Sequence, residues 1–179
     1  MRSSLGFLNG IVFTVALVAA AAFVGVETGA LPAGADAKPL PGEAWAAKTS
    51  LHASIARGEG AYTATLAPTD ANLVDGVHAY AANCAVCHGA SDAKASNLAK
   101  GFYIAAPQLA KDGVEDDPLG VTFWKLKHGI RFTAMPAFEG TLSDDTLWKI
   151  ALFLKTMDKL PPAADAEWKK VPSSAQTPS

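Results

Sequence analysis

The chain has 179 residues, half of them apolar, with a formal net charge of −2 and two cysteines. That length suits one modest domain with appendages. The near-neutral charge and the lack of a basic run argue against a nucleic-acid surface, and two cysteines are too few for a four-cysteine zinc site or a disulfide framework.

After Arg2 no charge occurs until Glu27, and Leu5 to Val26 is a predominantly apolar run of 22 residues. A cleavable signal needs an apolar region of only about 7–15 residues. At 1.5 Å per residue this run is long enough to cross a hydrocarbon core of about 30 Å. Residues 1–28 are therefore read as a signal-anchor or transmembrane segment. Cleavage near the alanines at 19–22, or at Ala35-Asp36-Ala37, is the alternative. Arg2 on the short side favours an N-in orientation, which places the rest on the periplasmic face of the cytoplasmic membrane. Cleavage would instead give a soluble periplasmic protein.

Residues 29–69 read as a periplasmic spacer, with Pro32, Pro39 and Pro41 at its start. Within it, Glu43 to Arg57 forms a short amphipathic pattern that Gly58 and Gly60 end, with Trp45, Thr49, His52 and Ile55 near one face. His52 is taken as a packing or surface residue. A compact domain over 70–160 opens at Asp70, a candidate N-cap, and a helix carries Leu73, Val77 and Tyr80 inward. Gly76 costs that helix about 1 kcal/mol relative to alanine, which a close crossing by another helix would explain.

The helix delivers the chain to Cys84-Ala85-Val86-Cys87-His88. Two thiols at i and i+3 suit addition to the two vinyl groups of a porphyrin, and the adjacent imidazole suits iron ligation. A redox dithiol would want a βαβ setting, a disulfide over this spacing in a helical turn would be strained, and a Cys2His2 zinc site would need His52, His78 or His128 at unusual spacings. One covalent haem c held by Cys84 and Cys87, with His88 as proximal iron ligand, is the expectation.

Gly89 to Gly113 reads as a loop wrapping the cofactor. Asp117 and Pro118 open a helix carrying Val121, Phe123, Trp124 and Leu126, which Gly129 stops. Ser143 caps the last clear helix. Its stripe is Leu147, Ile150, Ala151, Leu154 and Met157, and Pro161-Pro162 end it. Residues 161–179 are expected to be a mobile C-terminal tail, and no strand-like alternation occurs, so the fold class is all-α. For the distal iron position, Met135 sits in an irregular loop where Pro136 biases it towards extended backbone. Met157, His78 and His128 are the competing ligands.

Residues from about Asp70 to Leu160 resemble class I c-type cytochromes. The likeness is carried by Gly76 and Tyr80 ahead of the Cys84–His88 motif and Gly89, then Pro107-Gln108-Leu109, Met135-Pro136 and the aromatic-bearing last helix. It implies a helical fold around one haem in which the first and last helices cross at Gly76, with Tyr80 near Ile150 and Phe153. It also implies His88 and Met135 as axial ligands, with the Pro107 carbonyl accepting the His88 Nδ1 proton. Leu51-His52-Ala53-Ser54, Phe123-Trp124-Lys125 and Thr141-Leu142-Ser143-Asp144 are similar to membrane-anchored members.

An iron with both axial sites filled by protein suits one-electron transfer in a respiratory or periplasmic chain, with redox proteins as partners. The alternatives are a haem subunit accepting electrons from a partner dehydrogenase, and a gas or redox sensor with a displaceable Met135. No catalytic set of side chains is evident, so the chain itself is read as an electron-transfer protein rather than an enzyme. Lys94, Lys100, Lys125, Lys127 and Arg131 are either a steering ring for an acidic partner or ordinary solvated charges.

Overall fold

A computed structural model describes residues 2–174. The chain divides into an N-terminal unit ending at Lys38 and a second beginning at Pro39. The first unit is dominated by α1 (Arg2–Glu27). Its Gly6–Glu27 portion has a mean hydropathy of 2.3, and none of its apolar window is buried, so length and composition allow it to cross a membrane. Thr28 Oγ1 donates to the Val24 carbonyl at 2.7 Å and Gly29 turns left-handed (φ 70°), which ends the helix.

The second unit is all helix and loop among the described residues. In order it holds α2 (Glu43–Gly58), a 3-10 turn (Glu59–Ala61), α3 (Asp70–Asn83), α4 (Ala85–His88), α5 (Asn97–Lys100), α6 (Leu119–His128), α7 (Asp144–Lys155), a second 3-10 turn (Met157–Lys159) and α8 (Pro162–Trp168). The core lies where α3, α6, α7 and α8 meet, and Val77, Tyr80, Phe123, Leu147, Ile150 and Phe153 at its centre are essentially sealed from solvent. Burying such side chains stabilises the fold by roughly 1.5–3 kcal/mol each.

The α3–α7 crossing turns on Gly76. A Cβ there would collide with the Lys149 carbonyl and lie 2.9 Å from the Phe153 Cβ. The approach brings the Tyr80 ring within 5.4 Å of Phe153, edge to face. At the far side of the core, Phe123 of α6 stacks on Trp148 of α7 at 4.0 Å.

The helix starts depart in detail from expectation. Thr69, not Asp70, caps α3, accepting from the Asn72 N–H at 3.3 Å, while Asp70 becomes the first helical residue and complements the dipole. Asp117 does not cap α6, because its carboxylate accepts from Lys125 Nζ at 2.7 Å and Pro118 holds the cap position. Ser143 caps α7 as its sequence indicates, accepting from Thr146 N–H at 3.2 Å. The loop after Gly89 contains the single-turn α5, capped by Ser96. Met157 falls beyond the end of α7, where Thr156 Oγ1 donates to the Leu152 carbonyl at 2.9 Å.

The largest departure follows Pro161. The segment expected to be a mobile tail is packed as far as Ser174. Pro162 begins α8, since proline suits a first helical turn that has no N–H to satisfy. Ala164 is fully buried and Trp168 is 6% exposed, its ring 5.5 Å from Tyr80 and 5.2 Å from Phe153. Ser173 Oγ then donates to Asp92 at 2.6 Å, and Ser174 Oγ to the Ala85 carbonyl at 2.6 Å. The rest of that expected tail, 175–179, lies outside the described residues. Trp168→Ala is predicted to cost about 3–5 kcal/mol in denaturant unfolding, the penalty of emptying a core aromatic site. A solvated tail residue would give no measurable change.

Candidate functional site

The Cys84–His88 turn is an extension of α3 by one tight helical step. Cys84 N–H donates to the Tyr80 carbonyl at 2.8 Å, and the Cys84 carbonyl accepts from both Cys87 N–H (3.0 Å) and His88 N–H (2.9 Å). Gly89 stops it in a left-handed conformation (φ 79°). A side chain at that position would strike the Gln108 amide oxygen. Tyr80 Oη donates to the buried Gly89 carbonyl at 2.8 Å, and burial pushes its hydroxyl well above the usual tyrosine range, so it stays a donor.

The turn is laced to the 106–109 segment. Gln108 Nε2 donates to the Cys87 and Ala106 carbonyls, both at 3.1 Å, and Leu109 N–H donates to the His88 carbonyl at 3.1 Å. His88 Nδ1 lies 2.9 Å from the Pro107 carbonyl, which can only accept, so Nδ1 carries the proton and Nε2 keeps its lone pair. Burial lowers the imidazole pKa against the opposing pull of the Pro107 bond, favouring the neutral ring. Cys84 is 7% exposed, and burial, with the neighbouring Cys87, pushes its thiol up to about 12. Cys87 is raised by burial too.

Met135 stands on the α6–α7 loop, whose backbone folds back on itself. Ile130 N–H donates to the Met135 carbonyl at 3.2 Å, and Met135 N–H to Thr133 Oγ1 at 3.1 Å. Gly129 is left-handed (φ 65°), and a Cβ there would lie 2.6 Å from the Ala137 nitrogen. Phe138 and Glu139 N–H groups tie the loop to the Leu126 and Lys127 carbonyls at 3.1 and 3.0 Å.

Cys84, Cys87, His88, Pro107 and Met135 all line one cavity of about 250 Å³, whose further walls include Leu126, Ile130, Phe138 and Leu154. The other candidate ligands lie elsewhere. His78 is exposed and 3.3 Å from Glu167, His128 shares a 2.8 Å hydrogen bond with Tyr62 Oη, His52 is exposed, and Met157 lines a separate cavity beside Trp168. Among the described residues no three His, Cys, Asp or Glu side chains converge to hold a metal ion. Two thiols, one imidazole with its far nitrogen engaged, one thioether and apolar walls instead suit a metal carried within a flat organic ring. Leu51 and Thr122 also line this cavity, which sequence reasoning did not find: it noted Leu51 only within a stretch similar to membrane-anchored cytochromes. Of the cations it considered as a steering ring, Lys125 faces Asp117 at 2.7 Å, Lys127 faces Asp144 at 2.9 Å and Lys94 lies 3.8 Å from Asp92.

An all-helical domain with this turn and cavity defines a c-type cytochrome. Residues 71–154 match the family described as cytochrome C oxidase, cbb3-type, subunit III, so that stretch is a c-type cytochrome domain. Such a domain implies covalent haem c and haem-based electron transfer. The match leaves out α1, α2 and α8. No curated protein and no solved structure matches the chain.

Tyr80→Phe is predicted to lose about 1–3 kcal/mol in denaturant unfolding, because the Gly89 carbonyl is left buried without its donor while the ring contacts survive. An unchanged midpoint would mean that carbonyl finds another partner.

Proposed function

We propose that the chain is a one-electron carrier holding one haem c through Cys84 and Cys87, with His88 and Met135 as axial ligands. The observation that carries this reading is the meeting of those four side chains on a single apolar cavity. When bound, the haem supplies a one-electron iron couple. The chain's residues prepare for it. The Pro107 carbonyl holds His88 in one tautomer and strengthens its donor nitrogen. The pinned 129–135 loop supplies a soft thioether to the same cavity, which would favour the reduced iron. Apolar walls exclude water, so a change of charge meets little solvent rearrangement. In this reading both axial positions are filled by protein and no substrate position remains.

A second reading takes support from the description of the matched family, which is that of an oxidase subunit. The same domain would then serve as the haem subunit of an oxidoreductase, exchanging electrons with a catalytic chain. We further infer that α1 is retained and anchors the chain in the cytoplasmic membrane with the haem domain on the periplasmic side. This rests on its uninterrupted apolar length.

Three experiments test the haem, ligand and anchor readings. Haem colour should run with the polypeptide in a denaturing gel, and ferric protein should show the weak long-wavelength band of sulfur-to-iron charge transfer. Met135→Ala should abolish the band, lower the potential and open the reduced iron to carbon monoxide, while Met157→Ala should change none of these. Wild type that lacks the band and binds carbon monoxide readily would instead favour a sensor. For the anchor, mass spectrometry of the mature protein should find its N-terminus at Met1 or Arg2. A terminus beyond Ala22 would make α1 a signal peptide.

A further inference from the structure

The helix α2 lies outside the stretch that matches the cytochrome family, and from Ala44 to Ser50 its side chains are exposed, Trp45 at 73%. Its contacts are few and placed at its two ends and its middle. At the C-terminal end Gly58 is pressed onto the α6 indole, where a Cβ would lie 2.5 Å from Trp124 Nε1, and Ile55 is buried. At the N-terminal end the Glu43 carboxylate accepts from Tyr103 Oη at 2.5 Å and from Leu40 N–H at 2.9 Å. Between them Leu51 joins the lining of the cavity that holds Cys84, Cys87, His88 and Met135.

The two fastenings are made to two different segments whose neighbouring residues line that cavity. Tyr103 lies between Phe102 and Ile104, both lining residues on the segment that runs to Pro107, whereas Trp124 precedes Lys125 and Leu126 on the α6 wall. A helix of 16 residues is about 24 Å long, and its two ends reach these two segments. Ile55 and Gly58 already dock its last turn. Leu51 adds a contact to the cavity, and Glu43 joins a loop 60 residues away.

Building on the haem reading, we propose that α2 is itself a wall of the haem site, with Leu51 a cofactor-contacting side chain and the Glu43–Tyr103 hydrogen bond the positioning contact that fastens it. An apolar side chain there keeps water from the ring. A drier iron site disfavours the more highly charged ferric state, so the wall raises the potential.

The test uses the intact holoprotein. In the reduced, diamagnetic state the Leu51 methyl resonances should be displaced by the porphyrin ring current and show nuclear Overhauser contacts to haem protons. Leu51→Asn should lower the midpoint potential, and Tyr103→Phe should shift it the same way by less. Trp45→Ala, on the exposed face, should leave it unchanged. Absence of Leu51–haem contacts in the unmutated protein overturns the proposal, as do unchanged potentials in Leu51→Asn and Tyr103→Phe with full haem content. Should Leu51→Asn fail to fold, the contacts in the unmutated protein decide. Failure of the haem reading is distinguishable, since the unmutated polypeptide would then carry no haem colour.

Discussion

The contact on which the rest of the domain depends is the backbone-to-backbone approach of α3 and α7 at Gly76. Any side chain there would meet the Lys149 carbonyl, so the crossing exists only because glycine tolerates it. With the axes so close, Tyr80 and Phe153 meet edge to face, and Trp168 completes the aromatic group from α8. The conformational cost of glycine within α3 is offset by this packing. The crossing also sets where α3 ends, and its end is the Cys84 turn.

From that fixed point the cavity is assembled by backbone hydrogen bonds more than by side-chain packing. The Cys84–His88 turn is a short helical step and the 106–109 segment and 129–135 loop are irregular, yet each is tied by hydrogen bonds to its surroundings. Because the walls between these segments are apolar, the few polar atoms that face inwards keep defined partners, and Gln108 Oε1 is the one buried side-chain oxygen among the described residues without a hydrogen-bond partner. The tyrosine hydroxyl, the Gln108 amide nitrogen and His88 Nδ1 are all committed to carbonyls, so His88 keeps only its Nε2 lone pair to offer a metal.

Local pattern revealed those parts of the fold whose signals are local. α3 and α7 each carry an inward stripe several turns long, Ser143 marked the start of α7, and Gly76 announced the crossing through its misfit in a helix, while the cap of α3 lies at Thr69, one residue before the one read. The Cys84–His88 turn was legible because all its chemistry falls within five consecutive residues, and Met135 stood out by its place between Gly129 and Pro136. The neighbourhood of Pro107 and His88, 19 residues apart, came from family likeness and not from any spacing rule. α8 was missed because two prolines end one helix and open the next with the same residues, and seven residues are too few to show a period. Asp117 misled as a cap because Lys125, two turns on, competes for its carboxylate. The place of Leu51 on the cavity, and the Glu43–Tyr103 bond across 60 residues, are long-range features that no local window displays.

The contacts that close this domain join residues far apart in the chain: α3 meets α7 and α8, and Ser174 bonds to Ala85 across 89 residues. A chain that emerges from its N-terminus cannot make them until nearly all of it has been delivered. Until then the turn with its two cysteines has neither its covering helix nor its last hydrogen bond, and Cys84 is not yet enclosed. The topology thus sets an order of events as the chain is made. The thiols are reachable early, while the polypeptide is still incomplete, and arrival of the C-terminal residues ends that interval by sealing the turn.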